Sequence, residues 1–158
     1  MMEVIKFNNV DDVLSGNKTF TFRVMKPQPY RSQMHTMLTE PGDLVVNKNG
    51  FEHIVAPKYK PGEVYEFHET AWRNFGDIIG MQQVHEFKGY LKILSATPMQ
   101  VKEITEEMAI KAGHCAGENG TLAYSSYAVE LMFIYGRLSS ETWGWGYSFI
   151  LLTESGII

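Results

Sequence analysis

Hydrophobic and polar positions change period twice within the first 24 residues. Val10, Val13 and Leu14 recur at i, i+3 and i+4, the spacing of one helix face. They predict a short helix over 9–15. Asn8 or Asn9 can cap it, Asp11 and Asp12 suit its first turn, and Gly16 can stop it. The period then becomes two. Phe20, Phe22 and Val24 alternate with Thr19, Thr21 and Arg23, which predicts a half-buried strand. The aromatic side should face the core, and Thr21 and Arg23 should share the other side, toward a cleft or solvent. Lys18 has the wrong parity for that side and is placed on the turn after Gly16.

Pro27 and Pro29 end the strand. Residues 30–41 lack periodicity and read as a loop. Strands are expected at 44–46 and 51–55, flanking the hairpin signal Asn49-Gly50. Further strands are expected at 64–69, after Pro61-Gly62, and at 90–97. Thr105 can cap a helix running to about Ala112, with Gly113 at its C-terminus. A Gly-rich loop over 115–121 leads to a longer helix over about 125–138. Its expected core stripe is Val129, Met132 and Phe133, with Tyr127 and Tyr135 nearby. A closing strand covers 147–153. Short strands with two or three interspersed helices predict an α+β fold built on a small mixed β-barrel.

A length of 158 residues suits one domain, 1–158, with room for a substantial core. Apolar content of 44% and charged content of 20% are those of an ordinary globular chain. No apolar run nears the roughly 20 residues that span a bilayer, so a membrane is not an expected partner. The start of the chain carries no signal-peptide pattern, and the lone Cys115 has no internal disulfide partner. The expected location is the cytoplasm. The net charge of −4 hides an asymmetry: residues 1–60 hold eight Lys and Arg against six Asp and Glu. That argues against a nonspecific duplex-DNA binder but leaves room for a local basic site. The five histidines are scattered without metal-binding spacing, and no phosphate-binding glycine loop is present. No cofactor and no metal are expected.

Gly16, Lys18, Thr21 and Arg23 form a G-x-K-x-x-T-x-R pattern. It places a flexible glycine, an amine, a hydroxyl and a guanidinium in one short segment. Such a set can hold a phosphate or a base edge, or can activate a threonine. The run from Val10 to Pro29 around this pattern resembles the ASCH domain of the PUA-like superfamily, in particular its phage and prophage forms. Lys60-Pro61-Gly62-Glu63 through Trp72 is similar to the family's second segment. The family's Arg-Glu-Thr-Trp stands here as His68-Glu69-Thr70, with Ala71 before Trp72. Ile104 to His114 matches the shape of its helical signature, and Trp143 to Ile150 is a looser echo of its last strand.

The resemblance implies a PUA-like pseudobarrel that binds RNA or an unusual nucleobase. Gly16, Lys18, Thr21, Arg23, His68, Glu69 and Trp72 would line its cleft. It also implies a second function, metal-independent deacylation of an acetylated cytidine-like nucleoside. Thr21 would then be the nucleophile and Lys18, when neutral, its base. The family's proton-shuttling carboxylate falls here on Ala112, so Glu69 or Glu118 would have to replace it. A third reading is a protein-binding factor that acts on a host protein during infection. The oligomeric state is left open.

Overall fold

A computed structural model describes residues 3–26, 28, 44–48, 51–74, 81–117, 120 and 122–152. Among these residues the elements in chain order are β1 (Val4–Phe7), α1 (Asp11–Leu14), β2 (Phe20–Val24), β3 (Leu44–Lys48), β4 (Phe51–Val55), β5 (Val64–Asn74), β6 (Met81–Gln100), a 3-10 turn (Val101–Glu103), α2 (Glu106–Lys111), α3 (Ala123–Tyr135) and β7 (Trp143–Leu152). The main sheet has the order β1-β5-β6-β7-β2, and β3 and β4 form a separate hairpin. Only β1 and β5 run parallel; the other pairs in both sheets are antiparallel. The five strands curl into a half-barrel, so this is an α+β protein with a barrel-like sheet. No helix among the described residues is long and apolar enough to cross a membrane.

The sheet carries a core on each face. Ile5, Phe7, Phe67, Leu91, Ile93, Trp145, Tyr147 and Phe149 fill the concave side. Phe20, Phe22, Met99, Ile104, Ala109, Tyr127 and Leu131 form the second core, under α2 and α3. β2 is therefore buried on both faces, where its alternation predicted one. Thr21 is only 6% exposed because the curl of the sheet encloses its side of the strand.

β2 and β7 also explain two glycines. Phe22 lies opposite Gly146 and Val24 opposite Gly144 in the antiparallel register. A Cβ on Gly144 would meet the Arg23 carbonyl oxygen at 2.6 Å, and one on Gly146 would meet Met99 Sδ at 2.9 Å and the Phe20 ring at 3.0 Å. The missing side chains make room for two phenylalanine rings.

Several boundaries differ from the sequence expectation. The first helix is one turn, Asp11–Leu14, and Leu14 is exposed, so only Val10 and Val13 of its triplet are buried. β6 runs over 20 residues rather than eight, because its outer half pairs with the end of β5 as an exposed ribbon. That ribbon has no buried side to impose a pattern. β7 starts at Trp143, four residues before its expected start. Thr105 does cap α2, its hydroxyl accepting from the Met108 N–H at 3.1 Å. Asn49-Gly50 and residues 30–41 lie outside the described residues.

The long helix presents a different face from the one expected. Val129 and Phe133 are 67% and 89% exposed, and Met132 is exposed too. Ala123, Tyr127 and Leu131, at i, i+4 and i+8, are buried instead. α3 is apolar nearly all round, so its pattern cannot select a face. Tertiary bonds hold the observed face: Tyr127 Oη accepts from the buried Phe22 N–H at 2.8 Å, and Glu106 accepts from the N–H groups of Ala123 and Tyr124 at 2.9 and 2.7 Å.

Two outcomes should follow in chemical denaturation. Gly144→Ala should cost more than Gly146→Ala, each by roughly 1–3 kcal/mol, since a carbonyl cannot move aside as a methionine end can. Tyr127→Phe should cost about 1–3 kcal/mol, because it strands a buried N–H.

Candidate functional site

The motif segment is pinned from three sides before its side chains are considered. Gly16 takes φ +83°, the left-handed turn that ends α1. Lys18 N–H donates to Asp12 O at 2.8 Å, Thr19 N–H to Lys111 O at 2.7 Å, and Phe149 N–H to Thr19 O at 2.9 Å. This turn re-aims Lys18, as its parity required. Lys18 Nζ then sits 5.3 Å from the Phe7 ring centre, and the Arg23 guanidinium sits 5.1 Å from the same ring.

Arg23 is locked by two hydrogen bonds. Its Nε donates to Thr21 Oγ1 at 3.2 Å and its Nη2 to the Lys6 carbonyl at 2.9 Å. These use two of the five N–H donors of the guanidinium. Thr21 Oγ1, having accepted from Arg23, keeps its own proton for an acceptor in the cleft. The positive charge beside it favours loss of that proton.

Lys18, Thr21 and Arg23 line one cleft of about 210 Å³, together with Phe7, Phe22, Thr70, Tyr127 and Glu130. Burial pushes the Lys18 amine below its ordinary pKa, and Arg23 adds to this. Glu130 and Asp12 act the other way without reversing it. Burial likewise raises the pKa of the Tyr127 phenol well above the ordinary tyrosine range.

Glu130 was not singled out by sequence reasoning. It comes from α3 and bonds outward as well as facing the cleft. Its Oε2 lies 2.5 Å from His114 Nε2, and His114 Nδ1 lies 2.7 Å from the Ser126 hydroxyl. The imidazole rests against the Tyr127 ring at 5.1 Å between centres. Ser126, His114 and Glu130 thus make a continuous chain from an exposed hydroxyl to the cleft. One signal was available in the sequence: Glu130 is the sole charged residue in the 13 residues of α3. It also falls at i+3 from Tyr127, on the buried stripe.

The other expected residues lie elsewhere. His68 pairs with Glu66 at 3.4 Å and meets the Phe87 ring edge-on. Glu69 accepts from Val10 N–H at 3.4 Å and lies 3.9 Å from Lys88, so it ties the loop before α1 to β5. Trp72 is exposed on the β5 ribbon. Of β5, Thr70 is the residue that reaches the cleft. Ala112 closes α2 and is buried in the second core. Glu118 lies outside the described residues. Among the described residues, no group of three His, Cys, Asp or Glu side chains is placed to hold a metal ion.

Compared with protein-family models, curated proteins and solved structures, the chain matches none of them.

Lys18 has a pH signature. A native pKa below the unfolded one means that the native state binds fewer protons between the two values. Stability therefore rises with pH across that window, and the buried amine is a cost at neutral pH. Lys18→Met should raise Tm by a few degrees at pH 7, and the gap should close as pH approaches the ordinary lysine pKa of about 10.4. Thermal melts of both proteins from pH 6 to 10 check this.

Proposed function

We propose that this cleft binds a nucleobase or modified nucleoside of RNA, and that the chain is an ASCH-type domain of PUA-like fold. The observation that carries the reading is the convergence of Lys18, Thr21 and Arg23 on one cleft, faced by the Glu130 carboxylate. A base edge presents donors and acceptors side by side. Lys18 and Arg23 supply donors, Glu130 an acceptor, and Thr21 both. The aromatic residues Phe7, Tyr127 and Tyr135 also line this space. Its volume of about 210 Å³ is below the roughly 300–1,000 Å³ of drug-sized sites and suits one base-sized group. The barrel-like α+β sheet supports the family reading, which also rests on the motif order along the chain.

A second reading, deacylation, is favoured by three features of the same cleft. Lys18 is shifted toward its neutral form, Thr21 Oγ1 is held by a guanidinium, and a carboxylate is present although Ala112 carries none. Neutral Lys18 takes the Thr21 proton as Oγ1 bonds to the acyl carbon. The bond from that carbon to the exocyclic amine breaks, and Lys18 returns the proton to the leaving nitrogen. Water then cleaves the acyl–Thr21 ester, with Glu130 relaying its proton to Oγ1. Glu130 thus takes the role expected of Glu69 or Glu118.

Incubation with a panel of free and acylated nucleosides, followed by calorimetry and mass spectrometry, tests both. Binding without product, weakened at least tenfold by Arg23→Ala, supports the binding reading. Deacylated product that disappears in Thr21→Ala supports the second. No binding and no product from folded protein overturns both.

A further inference from the structure

Arg23 and Tyr135 line a second cleft as well as the first. This cleft is larger, about 490 Å³, and is also lined by Val24, Met25, Lys26, Val55, Lys58, Tyr59, Trp145 and Tyr147. Its floor is aromatic and its rim is cationic. Tyr59, Trp145 and Tyr147 are buried, with Tyr59 and Tyr147 edge-to-face at 5.3 Å. Lys26 Nζ stands 6.0 Å from the Tyr135 ring centre, and Lys58 Nζ stands 5.6 Å from that of Tyr59. Lys58 also lies 3.6 Å from Glu3, an exposed pair that adds little at ordinary salt.

The charges decide what such a groove takes. Among the described residues, Lys6, Lys18, Arg23, Lys26 and Lys58 line the two clefts against one carboxylate, Glu130, in a chain whose net charge is −4. A concentration of positive charge against the overall sign selects a polyanion. A guanidinium at the junction, with donors left over, suits a phosphate oxygen better than any neutral group. An aromatic floor beyond it suits a base and not a carboxylate side chain. A free nucleoside would fill the smaller cleft and leave the larger one, with its cations, unused.

We propose that the site takes a single-stranded oligonucleotide, with one base in the Lys18–Thr21 cleft, the adjoining phosphate on Arg23, and the next nucleotide in the Lys26–Lys58 cleft. This rests on reading the first cleft as a base site. The ligand class is then a nucleoside within a strand, so any acyl group removed would come from a strand and not from a free metabolite.

Fluorescence anisotropy with labelled RNA and DNA hexanucleotides tests it, beside calorimetry with the matching free nucleosides. The hexanucleotide should bind at least tenfold more tightly than the nucleoside. The double variant Lys26→Gln, Lys58→Gln changes two exposed cations and should fold normally, which a thermal melt checks. It should lose that gain, keep nucleoside affinity, and reduce the salt slope by about 1.4, the loss of two single-strand phosphate contacts. Equal affinity for nucleoside and hexanucleotide overturns the proposal while leaving the nucleoside site standing. So does a double variant that binds the hexanucleotide as the parent does, or a polyglutamate peptide that competes equally well. Absence of binding to either ligand overturns both the proposal and the reading beneath it.

Discussion

The Arg23 guanidinium spans the open seam of the half-barrel. A curled sheet of five strands leaves two edges, β1 and β2, that no further strand pairs among the described residues. Unpaired edge groups must find partners elsewhere or face water. Here side chains supply them. Arg23, from β2, donates to the Lys6 carbonyl of β1, and Tyr59 Oη donates to the Val4 carbonyl of the same edge. Tyr127 Oη accepts from Phe22 N–H on the β2 edge. The planar fork of an arginine can meet Thr21, Lys6 and the Phe7 ring at once, and a lysine cannot. The smaller cleft lies beside this bridge, lined by Lys6 and Phe7 of β1 and by Thr21 and Arg23 of β2, and Arg23 borders the larger cleft as well.

That bridge also sets the electrostatics. Lys18 and Arg23 both lie against one phenylalanine ring, and burial, with Arg23 adding to it, pushes the amine toward its neutral form. Opposite them stands Glu130, held by His114, which is held in turn by Ser126. A carboxylate held in place by a neighbouring side chain loses little freedom on meeting a ligand. Cations from β2 and the turn before it, and an anion from α3, thus line one small cleft. The arrangement suits either recognition of a base edge or proton transfer at a threonine.

Legibility in the sequence followed how strongly one burial face was imposed. The turn to Lys18 and the sharing of one cleft by Thr21 and Arg23 were readable from parity, because β2 is short and regular. The cap at Thr105 was readable because a hydroxyl three residues ahead of an orphan N–H is a local event. Tertiary contacts decided the face of α3, since an apolar helix offers several faces and the bonds of Tyr127 to Phe22, of Glu130 to His114 and of Glu106 to its first turn hold one of them. His68, Glu69 and Trp72 were expected at the cleft through a resemblance in β5, yet the strand directs them to its own partners and to solvent.

What the sequence determined by itself is therefore local: the motif, its turn, the cap at Thr105 and an α+β class. Each depends on residues within one or two turns of chain, where periodicity and hydrogen-bonding reach are fixed by backbone geometry. Only the tertiary structure decided that Glu130 would stand across from Lys18, that Arg23 would bridge two strand edges, and that Lys26 and Lys58 would border one groove. Those pairings join residues up to about a hundred positions apart. They arise from the curl of the sheet and the docking of α3 upon it, which no local pattern encodes.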